Sequence, residues 1–435
     1  MKFSKKFTIL GSVLLGVSLL AGCSSAETPA STSAVTEVRI SWWGGDSRNE
    51  AIQEAIKRFE EQNPDIKVYA EFSGYDGYQE KMTTQLSGGT APDVVRLDSM
   101  WMRDYQNQLE DLNQYAELLG LENFSPESLE PLTEGGKLLG LPLSTNYRAL
   151  YYNKTVLDEF GIEAPKSWED VMAMREVLPD DYYPMANPQL PNSASPFFFF
   201  TLLIKQTGKP ITDENGDLNY TEQDFVNVLT FYRELVDRRI MPSKKDVDNA
   251  GIVSGSPAPA LMDGKWLTFF EWVANTNNIK NQLAEQGYEM ALAGYPELEG
   301  QSSTGVWSKP SMAYAIPSTS KNKEAAARLI NFLMNDEESN KIQKLENGVP
   351  DSSTGRATLE AEGLITPLVA ESNALGAELL DPSLTNTFKW DRVTLSDTIL
   401  NTITELDYGK ITVEEAAKKF YDGFKAEEAT FKQYR

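Results

Sequence analysis

Val38-Arg39-Ile40-Ser41-Trp42-Trp43-Gly44-Gly45-Asp46-Ser47 sets the fold class of this chain. Val38, Ile40 and Trp42 alternate with Arg39 and Ser41, the period-two pattern of a strand, and the glycine pair breaks it. Downstream the period changes. Ile52, Ile56 and Phe59 recur at helical spacing, Asp46 or Ser47 stands where a capping oxygen belongs, and Asn63-Pro64 stops the pattern. Ile66, Val68 and Ala70 read as a second strand and Asp93 to Leu97 as a third. Strand, helix, strand, helix, strand predicts the start of an open parallel sheet. On the first strand one of Trp42 and Trp43 faces the core, and alternation alone does not say which.

Upstream, Lys2, Lys5 and Lys6 precede an apolar stretch, Phe7 to Leu20, that is too short and too interrupted by Gly11 and Gly16 to span a bilayer. Leu20-Ala21-Gly22-Cys23 follows and holds the chain's single cysteine. This tetrapeptide resembles the bacterial lipobox, which implies a signal peptide over 1–22, lipidation of Cys23 and anchoring by two or more acyl chains. An ordinary secretory leader with an incidental cysteine is the alternative. Residues 23–36 are small, polar and aperiodic, as a flexible tether would be.

Composition narrows the chemistry. The chain of 435 residues carries a net charge of −24, falling to about −27 once Lys2, Lys5 and Lys6 are removed, which repels nucleic acid and anionic headgroups. It has no histidine, so imidazole triads, histidine zinc sites and histidine proton shuttles are excluded. One cysteine permits neither an intrachain disulfide nor a thiolate cluster. After the leader the length suffices for two lobes, each with its own core.

Further along, Leu150 to Tyr152 and Trp266 to Phe270 read as strands. Helices are expected at 168–178, 197–207, 222–238, 322–334, 394–406 and 412–425, the last opened by Thr412 and Glu415 at capping-box spacing. Asp213, Asn215 and Asp217 imitate the start of a calcium loop, but Gly216 falls at position four and Asp224 at position twelve, so a turn is expected. Phe197 to Phe200 begins an apolar helix and reads as core. Tyr151 and Tyr152 point to opposite faces of a strand, which argues against an iron site.

Four ordered segments resemble extracellular solute-binding protein family 1, the carbohydrate receptors of ABC importers. They are Trp42 to Asp46 with the helix ending Phe59 to Val68; Gly88-Gly89-Thr90-Ala91-Pro92-Asp93-Val94-Val95; Gly140-Leu141-Pro142, Leu150 to Lys154 and Pro165-Lys166-Ser167-Trp168; and Ala313 to Pro317 before Ser320 to Ala326. The resemblance implies an α/β, two-lobed type II periplasmic-binding-protein-like fold, each lobe an open, mostly parallel sheet flanked by helices. Crossings are expected near 147–150, 288–294 and 344–350. The first lobe would then comprise 37–148 with 292–345, the second 149–291 with 346–435. It also implies a monomer outside the cytoplasm that binds an oligosaccharide, needs no cofactor and hands its ligand to ABC permease subunits.

Sugars offer hydroxyls that donate and accept, and apolar C–H faces, so their sites need carboxylates, amides, guanidinium groups and flat rings. By the resemblance, Asp46 and Arg48 after the first strand, Asp98 after the third and Asn146 at a crossing are polar contacts. Their structural alternatives are a helix cap, an internal ion pair and a turn amide. Trp272, beside Glu271, is the expected stacking ring. Trp307 and Trp390 stand in loops as further rings or as core, and Trp43 and Tyr75 complete the set. A receptor of this fold for another solute (a glycerophosphodiester, a polyamine, a metal chelate) and a secreted two-carboxylate glycosidase are the competing functions.

Overall fold

The computed structural model describes residues 35–187, 196–249 and 258–433. The leader, Cys23 and most of the tether lie outside the described residues. Nine strands carry the architecture: β1 Thr36–Trp43, β2 Ile66–Ser73, β3 Val94–Asp98, β4 Leu141–Pro142, β5 Arg148–Asn153, β6 Tyr183–Met185, β7 Trp266–Trp272, β8 Met290–Gly294 and β9 Met312–Ala315.

The opening sequence folds as its period demands. β1 pairs in parallel with β2 along its whole length, Thr36 opposite Ile66 and Trp43 opposite Ser73, and in parallel with β3 on its other side. The helix Asp46–Gln62 buries Ile52, Ala55, Ile56 and Phe59. Its cap residue is Gly45, which supplies no side chain, so Asp46 is the first helical residue and not the cap. Asn49 ties the turn together instead, accepting from the Trp42 indole at 2.9 Å and donating to the Gly44 carbonyl at 3.2 Å.

Two sheets result, ordered β2-β1-β3-β9-β4 and β8-β5-β7-β6. The first is parallel across β2-β1-β3 and antiparallel across β9 and β4. The second departs from the mostly parallel expectation: β5 is antiparallel to both β7 and β8, and only β6 runs parallel to β7. The cause is traffic through the crossing. β5 enters the lobe, with Arg148 at its start, whereas β7 returns with Trp272 opposite Arg148 and β8 returns with Gly294 opposite Leu150.

Packing also divides the chain differently from the expected boundaries. One core spans residues 38–143 and 313–334. A second gathers Leu150, the Phe197–Ile204 run, Trp307 and residues 384–424. β8 therefore belongs to the second lobe, and the return crossing is Lys309–Pro310, which pairs antiparallel with Thr145–Asn146 of the outward crossing. Helix Ser353–Ala361, expected in the second lobe, packs on Glu337–Gln343 and Lys323–Asn335 of the first. Gly355 makes that approach possible, since a Cβ there would lie 2.8 Å from Asn340 Oδ1 and 3.1 Å from the Met334 carbonyl oxygen. Helix Pro367–Leu379 then packs on β8 and β5. The capping box at Thr412 and Glu415 forms as its spacing predicts.

Candidate functional site

The ends of β1 and β3 carry the first wall. Trp43, 6% exposed, meets Tyr75 edge-on at 5.8 Å, Tyr78 at 5.1 Å and Trp101 at 5.3 Å. Trp42 stacks instead on Phe72 at 5.1 Å, so the two buried indoles point to opposite sides of β1. Tyr75 presents the open face of the cluster at 52% exposure. Its hydroxyl is pushed up to about 12 by burial first and by the carboxylates Asp98 and Asp391 next, so it remains a donor at neutral pH. Beneath the rings the Arg96 guanidinium lies 5.4 Å from the Trp43 centroid and donates to Asn347 Oδ1 at 2.7 Å and to the Met312 sulfur. Asp98 accepts from the Met100 N–H at 3.1 Å, the expected cap, and also faces Lys309 Nζ at 3.5 Å.

The second wall forms where β7 ends beside the start of β5. Glu271 and Trp272 are the last two residues of β7, not the loop after it. The Arg148 guanidinium is buried over Phe197 at 5.0 Å and Trp272 at 5.6 Å, and its Nε meets no acceptor. Burial lowers its pKa, opposed by the fields of Glu271 and Asp391. Glu271 accepts from the Trp272 N–H at 2.7 Å, and burial raises its carboxyl despite Arg148. The field of Asp391 bears on both Tyr75 and Arg148. Lys389 to Glu134 at 2.5 Å and Arg392 to Asp104 at 3.3 Å join the lobes beyond it.

Asp46 is exposed at the start of its helix. Arg48 spends its fork on the Glu346 carbonyl, at 2.6 and 3.1 Å. Asn146 accepts from the Ala274 N–H at 3.1 Å, tying the crossing to the segment after β7. Trp307, 1% exposed, packs on Phe197 and Phe200, and Trp390, 4% exposed, stacks on Phe424 at 5.8 Å. Both indoles are core, because the loops that carry them pass over the apolar helices of the second lobe. Sequence reading passed over Arg96 and Arg148. The available signal was a lone cation inside or beside an apolar strand, Val94-Val95-Arg96-Leu97 and Arg148-Ala149-Leu150.

An opening of about 550 Å³ lies at the crossings among Thr145, Tyr147, Ser308, Val349, Asp351 and Arg356. None of the ten expected ligand residues lines it, and Tyr147 is the one ring in its lining. Asp213 accepts from the N–H groups of Asn215 and Asp217, the expected turn.

Residues 45–339 match the pattern of the bacterial extracellular solute-binding protein family. The chain belongs to that family. A periplasmic solute binding protein from Pectobacterium atrosepticum is similar in structure, with a TM-score of 0.83 and 29% identity over 92% of this chain and 99% of that one. So is a periplasmic oligogalacturonide binding protein from Yersinia enterocolitica, solved in complex with saturated digalacturonic acid, with a TM-score of 0.79 and 30% identity over 92% and 99%. An arabinooligosaccharide-binding protein of Halalkalibacterium halodurans is 25% identical over 45% of each chain. This solute-binding protein is thus of the ABC type, acts outside the cytoplasm, comes from a binding rather than a catalytic family, and has the two-lobed α/β fold.

Proposed function

We propose that this solute-binding protein is a monomeric receptor, anchored through lipid on Cys23, that captures a carboxylate-bearing oligosaccharide and delivers it to an ABC permease. Its first lobe comprises 35–143 with 312–361 and its second 148–307 with 367–433. The ligand lies between the Trp43, Tyr75 and Trp101 cluster and Arg148, Glu271 and Trp272. Rings take the C–H faces, Tyr75 donates, and the carboxylates Asp98, Glu271 and Asp391 accept from hydroxyls.

The observation that carries this reading is Arg148. A buried guanidinium is stable when acceptors meet its fork; here, among the described residues, rings cover it, its Nε has no acceptor and the nearby Glu271 carboxylate is bonded to the Trp272 N–H, so a ligand carboxylate supplies a hydrogen-bond acceptor the fold does not. Each charge-assisted bond contributes about 1.5 to 3 kcal/mol. Likeness to the oligogalacturonide receptor supports the same chemistry. A neutral oligosaccharide is the second reading, favoured by the aromatic first wall and the arabinooligosaccharide relative.

Mass spectrometry of ligand released from the purified protein tests the proposal, together with fluorescence titration against acidic and neutral oligosaccharides. A uronate-containing chain, recovered intact, is expected, with closure reducing the radius of gyration. Recovery of shortened products would identify a glycosidase instead. Labelling with a radioactive fatty acid, lost in the Cys23→Ala variant, tests the anchor.

A further inference from the structure

Between the two walls the crossings supply a floor, and one of its side chains has unspent donors. Lys309 stands opposite Asn146 in the antiparallel pair that joins the lobes. Two residues before it, Trp307 meets Trp272 at 6.3 Å; two residues after Asn146, the Arg148 guanidinium lies over the same indole at 5.6 Å. Alternation therefore turns Lys309 to the face of the crossing that carries the second wall. The first wall reaches it from the other side. Ser99 donates to the Pro310 carbonyl at 2.5 Å, which fixes the crossing against the turn after Asp98, and Lys309 Nζ lies 3.5 Å from Asp98 Oδ1.

That contact is an ion pair without a hydrogen bond. Charge-assisted N–H···O bonds run at about 2.7 to 2.9 Å, and Lys389, in a pair of similar exposure, closes on Glu134 at 2.5 Å. Asp98 Oδ1 is bonded instead to the Met100 N–H at 3.1 Å. Among the described residues nothing donates to Asp98 Oδ2, and the Lys309 ammonium donates to nothing. The pair is thus balanced in charge but unspent in hydrogen bonds, with three donors on one member and an open oxygen on the other. It is also within reach: the Lys309 and Asp98 side chains keep 14% and 12% of their surface open. The field of Asp98 bears on Tyr75, which places the pair beside the ring that faces the ligand.

We infer that Lys309 and Asp98 together read a vicinal diol of the bound sugar: Asp98 Oδ2 accepts from one hydroxyl while Lys309 Nζ donates to the oxygen of its neighbour. The inference rests on the sugar reading proposed above and adds to it a specificity residue, Lys309, and a ligand requirement, two adjacent free hydroxyls. A diol suits the pair because its two oxygens stand about as far apart as the two charged ends, and each hydroxyl both donates and accepts. The fixed crossing holds Lys309 in register with Asp98 before the ligand arrives, so little order is lost when the diol binds.

Isothermal titration of the mature chain and of Lys309→Met, with a trimer of galacturonic acid and with its methyl ester, is the test, joined by urea unfolding. Both ligands keep the diols, so Lys309→Met should weaken both by the same factor, roughly ten- to a hundredfold. The unfolding midpoint should hardly move, because a loose, partly exposed pair contributes little to stability. Lys309→Gln, which keeps a donor without the charge, should recover part of the lost affinity. In crystals of the complex, adjacent hydroxyls of one sugar should lie within hydrogen-bond distance of Asp98 Oδ2 and Lys309 Nζ. Unchanged affinity for the ester in Lys309→Met, or a loss confined to the acid, would overturn the inference. Failure of the carboxylate reading looks different: the unsubstituted chain would bind the acid no more tightly than the ester, and the effect of Lys309 would still be read on the ester.

Discussion

Arg96 in the first lobe and Arg148 in the second are both buried on strands beside aromatic rings, yet they are satisfied differently. Asn347 and the Met312 sulfur accept from Arg96, leaving its Nη1 unpartnered, whereas among the described residues no hydrogen-bond acceptor meets Arg148, which lies over the faces of Phe197 and Trp272 and feels Glu271 and Asp391 through their fields. A cation bonded by its own fold is structural. One whose fork meets no acceptor raises the folded chain's energy until something outside completes it. The same contrast separates Trp307, sealed in the second core, from Trp272, half-buried at the end of β7.

Substitutions separate these roles, the largest effect coming from the sealed indole. Trp307→Ala should cost about 3 to 5 kcal/mol in urea unfolding, while Trp272→Ala should leave most of the stability and weaken ligand binding by about 1 to 2 kcal/mol, roughly tenfold. Equal stability losses would erase the distinction. For the arginines the expectation inverts. Arg148→Met should reduce affinity by about 3 kcal/mol, near a hundredfold, with an unchanged or higher unfolding midpoint, because an unpaired buried charge is removed. Arg96→Met should instead lower stability by about 1 to 3 kcal/mol, since Asn347 Oδ1 loses its donor.

Between the walls, the crossing carries its own signature. Asp351 accepts from the N–H and hydroxyl of Thr145 at 2.8 Å each, and burial raises its carboxyl from 3.8 to about 6. A raised folded pKa means that the neutral form favours the folded chain. Its contribution is complete below about pH 4 and lost as pH rises through about 6, a loss of about 1 to 3 kcal/mol. Asp351→Asn should flatten that slope in denaturant titrations at several pH values. Smallest of all, Lys389→Ala should weaken ligand binding by less than about 1 kcal/mol through loss of the Glu134 pair.

Local order was legible in the sequence; pairing across the molecule was not. The Val38 to Trp43 alternation, the Ile52, Ile56 and Phe59 stripe and the Thr412 capping box each report interactions within a few residues. The direction of β7 and β8 against β5 depends on partners more than a hundred residues away, which no period encodes. The same holds for helix Ser353–Ala361, whose own pattern names no lobe. Of the residues proposed to meet the ligand, Trp43, Tyr75, Asp98, Glu271 and Trp272 were reached through position after or at the end of strands. Trp307 and Trp390 sit in loops of the same kind, but their burial is a property of what covers a loop. Arg96 and Arg148 carried a readable signal, a charge among apolar neighbours.

In the proposed function, Arg148 awaits a carboxylate. Isothermal titration with a trimer of galacturonic acid and with its methyl ester, which keeps the rings and removes the charges, tests it most directly. The acid should bind at least tenfold more tightly than the ester, and Arg148→Met should abolish the difference. Equal or tighter binding of the ester would contradict the account.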